Sequence, residues 1–114
     1  MLHDIKKSVW DAVEACQKIQ AFTRGHTLET YQADCLYRSA VERQFEILGE
    51  ALNRVDEADP SFRDYLPDMG KIIGMRNRIA HGYDYVQDEV VWLAATKRVS
   101  GLMTKLETWL DENQ

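Results

Sequence analysis

The sequence predicts an all-α protein, an antiparallel four-helix bundle, and three observations support this prediction. Apolar residues recur at three- and four-residue steps through four long segments, which is the spacing of one buried helical face. No window shows the sustained two-residue alternation of a β-strand. The segments are separated by residues that end helices, namely Gly25, Pro60, Pro67 and Gly82. A chain of 114 residues with this composition is expected to form a single domain over residues 1–114.

The first predicted helix covers residues 2–22. Its apolar face comprises Ile5, Val9, Ala12, Val13, Cys16 and Ile19. Gly25 is expected to end it, because glycine adopts the backbone conformation that commonly closes a helix. Thr27, together with Thr30 or Asp34, offers side-chain oxygens that can cap the helix that follows.

The second predicted helix covers residues 34–55, about six turns at 3.6 residues per turn. Its broad apolar stripe comprises Leu36, Ala40, Val41, Phe45, Leu48, Ala51, Leu52 and Val55. Pro60 and Pro67 then bracket a connection, because the residue before each proline is driven away from helical geometry.

Two further helices complete the predicted bundle. The third is shorter, begins near Pro67 or Asp68 and ends at Gly82. The fourth begins with Asp88 and Glu89, whose negative charge suits the positive end of a helix, and continues to residue 110. Its apolar positions are Val90, Val91, Ala94, Ala95, Val99, Leu102, Met103, Leu106 and Leu110.

The charge balance and the cysteines limit the function classes. A net charge of −5 argues against broad, nonspecific attraction to nucleic acid, so any such contact must be local. Cys16 and Cys35 are widely separated and lie among helical apolar positions, so we expect both to be buried thiols of a cytoplasmic protein. The sequence begins without a signal-peptide pattern and contains no stretch of about 20 apolar residues, so neither secretion nor membrane insertion is expected.

The histidines and one pair of glutamates give weak signals of function. His3, His26 and His81 lack the spacing of metal ligands, and a structural metal is not expected. Glu46 and Glu50 are four residues apart and share a helix face. They can act as an acid and a base, or simply face water, or one of them can pair with an arginine inside the bundle.

The end of the third helix concentrates polar chemistry in the stretch MRNRIAHGYDYV, residues 75–86. Arginine presents a fork of donors that suits a phosphate, and histidine exchanges a proton near neutral pH. These are the groups needed to cleave RNA without a metal: His81 as base or acid and Arg76 as the cation that stabilises the phosphoryl oxygens. Asn77 can orient either group.

Helix geometry separates these two residues. At about 100° per residue, Arg76 and His81 lie roughly 140° apart around one helix, whereas Asn77 and His81 share a face. Either the helix loosens before Gly82 and Arg76 wraps round, or a two-fold dimer brings two copies of the motif together. The dimer is favoured, because Gly70 would permit close helix approach, as would the glycine at position 74.

A plainer interpretation is also available. Arginine and histidine near a helix C-terminus stabilise the exposed carbonyl groups, and Gly82 is an ordinary helix stop. Arg78 then is a solvated or phosphate-steering charge, and Tyr85 belongs to the core or its rim.

The string Arg76-Asn77, three residues, His81, one residue, Tyr83 resembles the motif of HEPN-domain proteins. More narrowly, the chain is similar to the HepT-type toxins of MNT/HEPN toxin–antitoxin modules. The resemblance extends to the AFTRG stretch at 21–25, to Asp34, and to the AVERQFEILGEAL segment, which carries the family's arginine, glutamate and glycine-glutamate pattern.

This resemblance implies a homodimeric all-helical domain whose two motifs form a metal-independent ribonuclease cleft, with no cofactor. Arg76 and His81 would be the catalytic pair, with Asn77 beside them. The implied partner is a minimal nucleotidyltransferase antitoxin that attaches AMP to the motif tyrosine, which alignment to the histidine places at Tyr83 rather than Tyr85. The alternative is a noncatalytic HEPN module that binds a nucleotide or a partner.

Overall fold

In the computed structural model, residues 2–81 and 88–114 are described, and the side chains of residues 80 and 81 are outside that description. The described residues are predominantly helical and contain no β-strand. The helices are α1 (Leu2–Thr23), α2 (Leu28–Ala33), α3 (Cys35–Ala58), α4 (Phe62–Tyr65), α5 (Met69–His81), α6 (Asp88–Leu93) and α7 (Val99–Glu112). A π-helical turn, Ala94–Arg98, joins α6 to α7, and we call this continuous unit the last helix. The predicted all-α class is confirmed.

The first predicted helix is confirmed as α1, which buries the predicted apolar face. It ends where Gly25 adopts a positive φ of 78°. Thr27 then caps α2, a short helix that the sequence did not predict, in a reciprocal capping box with Thr30. Asp34 caps α3 by accepting a hydrogen bond from the Tyr37 backbone N–H.

The long helix α3 occupies the centre of the bundle, where Val41, Phe45, Leu48 and Val55 are fully buried. The prediction that Leu36 and Ala40 share this stripe is wrong, because both are exposed and Leu36 is 81% accessible. The first turn of α3 is instead held against α1 by Tyr37. The Tyr37 hydroxyl donates to the Phe22 carbonyl of α1 at 2.7 Å, and Leu36 lies about 100° away from Tyr37 around α3, on the exposed side.

The prediction for the cysteines is half right. Cys16 is fully buried in α1, and burial raises the pKa of its thiol to about 12. Cys35 is exposed, contrary to prediction, because it is the first residue of α3 and follows the capping Asp34 at the bundle surface.

The connection after α3 contains the short helix α4, which was also not predicted. Phe62 is buried and packs edge to face on Trp109 of the last helix. Arg63 makes a two-pronged salt bridge to Asp56, at 2.7 and 3.0 Å, which ties this connection back to α3. The third predicted helix is confirmed as α5, beginning at Met69.

The last helix buries Val91, Ala94, Ala95, Val99, Leu102 and Leu106, as predicted. Val90 is exposed, contrary to prediction, because it lines an open groove between the last helix and α5. The sequence predicted a regular helix here. The π-helical turn inserts a wider turn, closed by a hydrogen bond from the Val99 N–H to the Ala94 carbonyl.

The long helices form an antiparallel bundle in which α1 packs on both α3 and the last helix, and α3 packs on α5. The antiparallel pairing of α1 with α3 is visible at both ends, since Tyr37 reaches Phe22 and Arg54 reaches Ser8. By contrast, one groove separates α5 from the last helix, and a second separates the connection before α5 from the last helix. In the described ranges, no helix combines the length and apolar character that crossing a bilayer requires.

Candidate functional site

The close contact between α3 and α5 fixes the position of Arg76. The side-chain stem of Arg76 lies directly over Gly49 of α3, and a Cβ atom added to Gly49 would lie 2.2 Å from the Arg76 Cβ and 2.6 Å from its Cγ. Only a glycine leaves room for this packing. The sequence-based prediction gave the glycines of α5 a role in helix approach between two copies and gave Gly49 none; within one chain, a Cβ on Gly74 would meet nothing within 4 Å.

The guanidinium of Arg76 is held by two partners. Its Nη2 donates to the Glu50 Oε1 at 3.4 Å, and its Nη1 donates to the Asn77 Oδ1 at 2.8 Å. The Arg76 side chain is 27% accessible and that of Glu50 is 39% accessible. The cation is therefore oriented from two sides and still reaches solvent.

This arrangement decides between the alternatives for Glu46 and Glu50. Glu50 pairs with an arginine of the bundle, Arg76, as one of the three sequence-based interpretations proposed. Glu46 instead accepts a salt bridge from Arg43, one turn away on the same helix, at 3.5 Å. The two carboxylates thus serve different cations rather than forming an acid–base pair.

Donor capacity remains on Arg76 after these contacts. A guanidinium has five N–H groups, and the two hydrogen bonds to Glu50 and Asn77 use one on each terminal nitrogen. The Arg76 Nε is buried and has no partner among the described residues. The second hydrogen on each terminal nitrogen is left to bind an oxyanion, such as a phosphate oxygen.

Helix α5 continues through His81. The backbone stays helical up to that residue, so positions 76 and 81 are separated by about 140° around one helix. The side chain of His81 lies outside the described residues, as do Gly82, Tyr83 and Tyr85. Of the predicted site residues, the structure therefore brings together Arg76 and Asn77.

A carboxylate that sequence analysis did not single out lies near the start of the last helix. Burial raises the pKa of the Glu42 carboxyl, and the negative charges of Asp88 and Glu46 add to this effect. The sequence feature that could have identified Glu42 is its spacing, since Glu42 precedes Glu46 by the same four residues that separate Glu46 from Glu50. Gly49 belonged to the family's glycine-glutamate pattern, but the sequence alone assigned no role to it.

Comparison with known proteins identifies the family. The model of the family described as ribonuclease HepT-like matches residues 12–109, which is most of the chain. The chain belongs to the ribonuclease HepT-like family. The family resemblance predicted from the motif is therefore confirmed, and the helical bundle agrees with it.

Individual relatives in this family are distant in sequence but similar in length. A Thermococcus cleftensis protein named "Probable ribonuclease HepT" is 29% identical over 97 residues, covering 85% of this chain and 87% of the relative. A Methanocaldococcus jannaschii protein named "Putative RNase MJ1380" is 24% identical over 106 residues, covering 91% of this chain and 94% of the relative. No solved structure matches significantly.

Proposed function

We propose that this protein is a HepT-type toxin, a metal-independent endoribonuclease in which Arg76 and His81 form the catalytic pair. The observation that carries this proposal is the fixed, partly exposed guanidinium of Arg76, held by Glu50 and Asn77 on the helix that ends at His81. Membership of the ribonuclease HepT-like family supports the same activity.

The proposed reaction is a transesterification at an RNA phosphate. His81 removes the proton from a ribose 2′-hydroxyl, and the 2′-oxygen forms a bond to the adjacent phosphorus. The bond from phosphorus to the 5′-oxygen breaks, and that oxygen takes a proton from a histidine acting as acid. Arg76 stabilises the negative charge that grows on the two nonbridging oxygens. The products are a 2′,3′-cyclic phosphate and a 5′-hydroxyl.

A homodimer with a composite site is part of this proposal. Because α5 is helical through His81, Arg76 and His81 of one protomer lie about 140° apart around the helix. A two-fold axis near the end of α5 would place the histidine of one copy by the arginine of the other. Asn77, which accepts from Arg76, would orient the cation in this cleft.

The proposed partner is a nucleotidyltransferase antitoxin that transfers AMP to the hydroxyl of Tyr83. The phenol oxygen would attack the α-phosphorus of ATP, and pyrophosphate would leave. The product carries a phosphodiester and a nucleoside two residues after His81. Its negative charge and bulk would then compete with RNA for Arg76.

The ribonuclease activity is tested by incubating purified protein with RNA in the presence of EDTA. We expect cleavage with cyclic phosphate ends, and we expect His81→Ala or Arg76→Ala to lower the rate by at least about 100-fold. Arg43→Ala is the matched control, because Arg43 is a cation on the surface of α3 whose partner is Glu46. Parent protein that leaves RNA intact, or equal rates in parent and His81→Ala, would refute the activity.

The modification is tested by intact mass after co-expression with a cognate nucleotidyltransferase. We expect a mass increase equal to one AMP group in the parent and in Tyr85→Phe, and none in Tyr83→Phe. An increase that persists in Tyr83→Phe would remove this tyrosine from the mechanism.

A second candidate function is a noncatalytic module that binds a nucleotide or a partner. The existing contacts of Arg76 with Glu50 and Asn77 favour it, because an arginine already paired with a carboxylate is less available to a phosphate. Binding of ATP without RNA turnover, retained in His81→Ala and lost in Arg76→Ala, would support this function over the ribonuclease.

A further inference from the structure

A cationic seam runs along the last helix, facing α5 and the connection that precedes α5. It consists of two grooves of about 410 Å³ and about 280 Å³ that share Arg98 as a lining residue. The larger groove includes Gly74 and Arg78 of α5, and the smaller one continues along α7 to Lys105. The seam therefore begins on the helix that carries Arg76 and follows the last helix away from it.

Charge is strongly segregated into this seam. Its lining cations are Lys71, Arg78, Lys97, Arg98 and Lys105. These are five of the 14 lysines and arginines of the chain, whereas Asp68 is one of 19 acidic residues and the single carboxylate among the described residues that line the seam. In a chain of net charge −5, this is a local surface suited to a polyanion.

The larger groove also has an apolar floor. Ile72, Met75 and Ala94 are nearly buried at its base, and Val90 is exposed at its side. Gly74 leaves the space above this floor open, since an added Cβ would meet no atom within 4 Å. A volume of about 410 Å³ lies within the range of small-ligand sites, so a nucleobase can lie against the floor while phosphates meet the cations.

The π-helical turn contributes two of these cations. Lys97 and Arg98 lie in its last positions and line the seam. Arg98 approaches Asp68 at 3.8 Å, and both side chains are about half exposed. Such a long, exposed ion pair is weak, so Arg98 can exchange this carboxylate for a phosphate.

We propose that the seam binds a single strand of RNA, with its phosphates on the five cations and one base over Gly74. Arg78 lies between Arg76 and His81 in the sequence of α5, so the strand would leave the seam at the motif end of that helix. RNA is the expected polyanion because this helix carries the proposed ribonuclease motif, so the inference rests on that proposed function.

A second copy of the chain is a poorer occupant. In a two-fold interface that paired seam with seam, five cations would face the same five cations of the other protomer, and like charges directly opposed disfavour association. An RNA strand neutralises these charges and releases its counterions.

The charge argument is tested by fluorescence anisotropy with a labelled 2′-O-methyl oligouridylate, whose methylated 2′-oxygen cannot attack the phosphate. Each phosphate contact contributes about 0.7 to the slope of log affinity against log salt for a single strand. Arg78→Gln/Arg98→Gln should lower that slope by about 1.4 and weaken binding about 25-fold at about 0.1 M salt. The matched control is Lys6→Gln/Lys18→Gln, which changes the net charge equally on α1 and should retain the slope.

The steric argument is tested with two substitutions at one position. Gly74→Phe should fill the groove and weaken oligouridylate binding several-fold, whereas Gly74→Ala should retain most of it. Equal slopes in parent and Arg78→Gln/Arg98→Gln, or equal losses in both charge variants, would refute the seam as an RNA site.

Two further results would also overturn it. One is a Gly74→Phe protein that binds oligouridylate normally but loses its dimeric mass, since the seam would then be a contact between copies. The other is loss of nucleotidyltransferase binding, with normal RNA binding, in Arg78→Gln/Arg98→Gln. Failure of the ribonuclease proposal can be distinguished from failure of the seam proposal. A parent protein that cleaves no RNA but binds oligouridylate through the seam would disprove the ribonuclease activity and would still support the seam as an RNA site.

Discussion

The substitution Gly49→Ala tests the packing that holds Arg76. The added methyl would lie 2.2 Å from the Arg76 Cβ, whereas unstrained carbon atoms approach to about 3.5–4.0 Å. The Arg76 Cβ is fixed by the backbone of α5, so no rotamer change relieves the contact. The two helices must therefore separate locally by about 1.3–1.8 Å.

The free-energy balance of this change has two parts. Replacing glycine by alanine inside a helix normally stabilises it by about 1 kcal/mol. Overpacking of a tight contact costs about 1–3 kcal/mol, and the upper end applies because the contact is between backbone-fixed atoms. We expect a net loss of about 2 kcal/mol in the free energy of unfolding and a fall in melting temperature of roughly 10 °C.

The rate of RNA cleavage should fall by more than the loss of folding stability alone explains. A displacement of about 1 Å at a catalytic group can cost about 100-fold in rate, so Gly49→Ala should cleave RNA far more slowly even where it is fully folded. The assays are urea denaturation and RNA cleavage at a temperature well below the melting transition.

The matched control is Gly74→Ala, also a glycine within a helix, where the new methyl meets nothing. That variant should gain about 0.5–1 kcal/mol. In the Gly49→Ala background, Arg76→Gly should restore part of the lost stability, whereas Arg76→Ala should restore little because the clashing Cβ remains. A Gly49→Ala protein as stable as Gly74→Ala would refute this account of the contact.

Three other outcomes can be measured on the same protein. Because the Glu42 carboxyl has a pKa raised by burial and by Asp88, its charged form opposes folding, and stability is lost as pH rises through that pKa. Glu42→Gln should therefore stabilise the fold against urea at pH 7, with a gain that vanishes below about pH 4. In the native protein Cys35 should react with Ellman's reagent while Cys16 stays protected, and Cys35→Ser should abolish the fast reaction. Tyr31→Phe should raise the free energy of unfolding by about 1 kcal/mol, because the Tyr31 hydroxyl is buried without a partner among the described residues; a loss in urea stability would contradict this.

Helical periodicity predicted the long helices well because each buries a continuous stripe over many turns. It missed α2 and α4, whose six and four residues are too short to establish a period. It also extended the stripe of α3 to Leu36, since periodicity does not show where a helix begins to project beyond its neighbours.

The sequence predicted those parts of the candidate site whose residues lie close together along the chain. The pattern from Arg76 to Tyr83 was visible as a motif, and pairing of Glu50 with an arginine was one of the stated alternatives. The sequence did not predict the role of Gly49, because it cannot show which glycine faces a neighbouring helix. Apolar periodicity also did not predict the π-helical turn, since one wider turn leaves most apolar positions of the last helix in place.

The pairing of α1 with the last helix has a consequence for synthesis on the ribosome. α1 is made before both of its main packing partners, and the last helix is made after α3. At about 5–20 residues per second, roughly 5–20 s separate the completion of α1 from that of the last helix. Throughout that interval, the side of α1 that packs on the last helix lacks its final partner. A nascent chain of this protein therefore exposes apolar surface on α1 until the last helix completes the bundle.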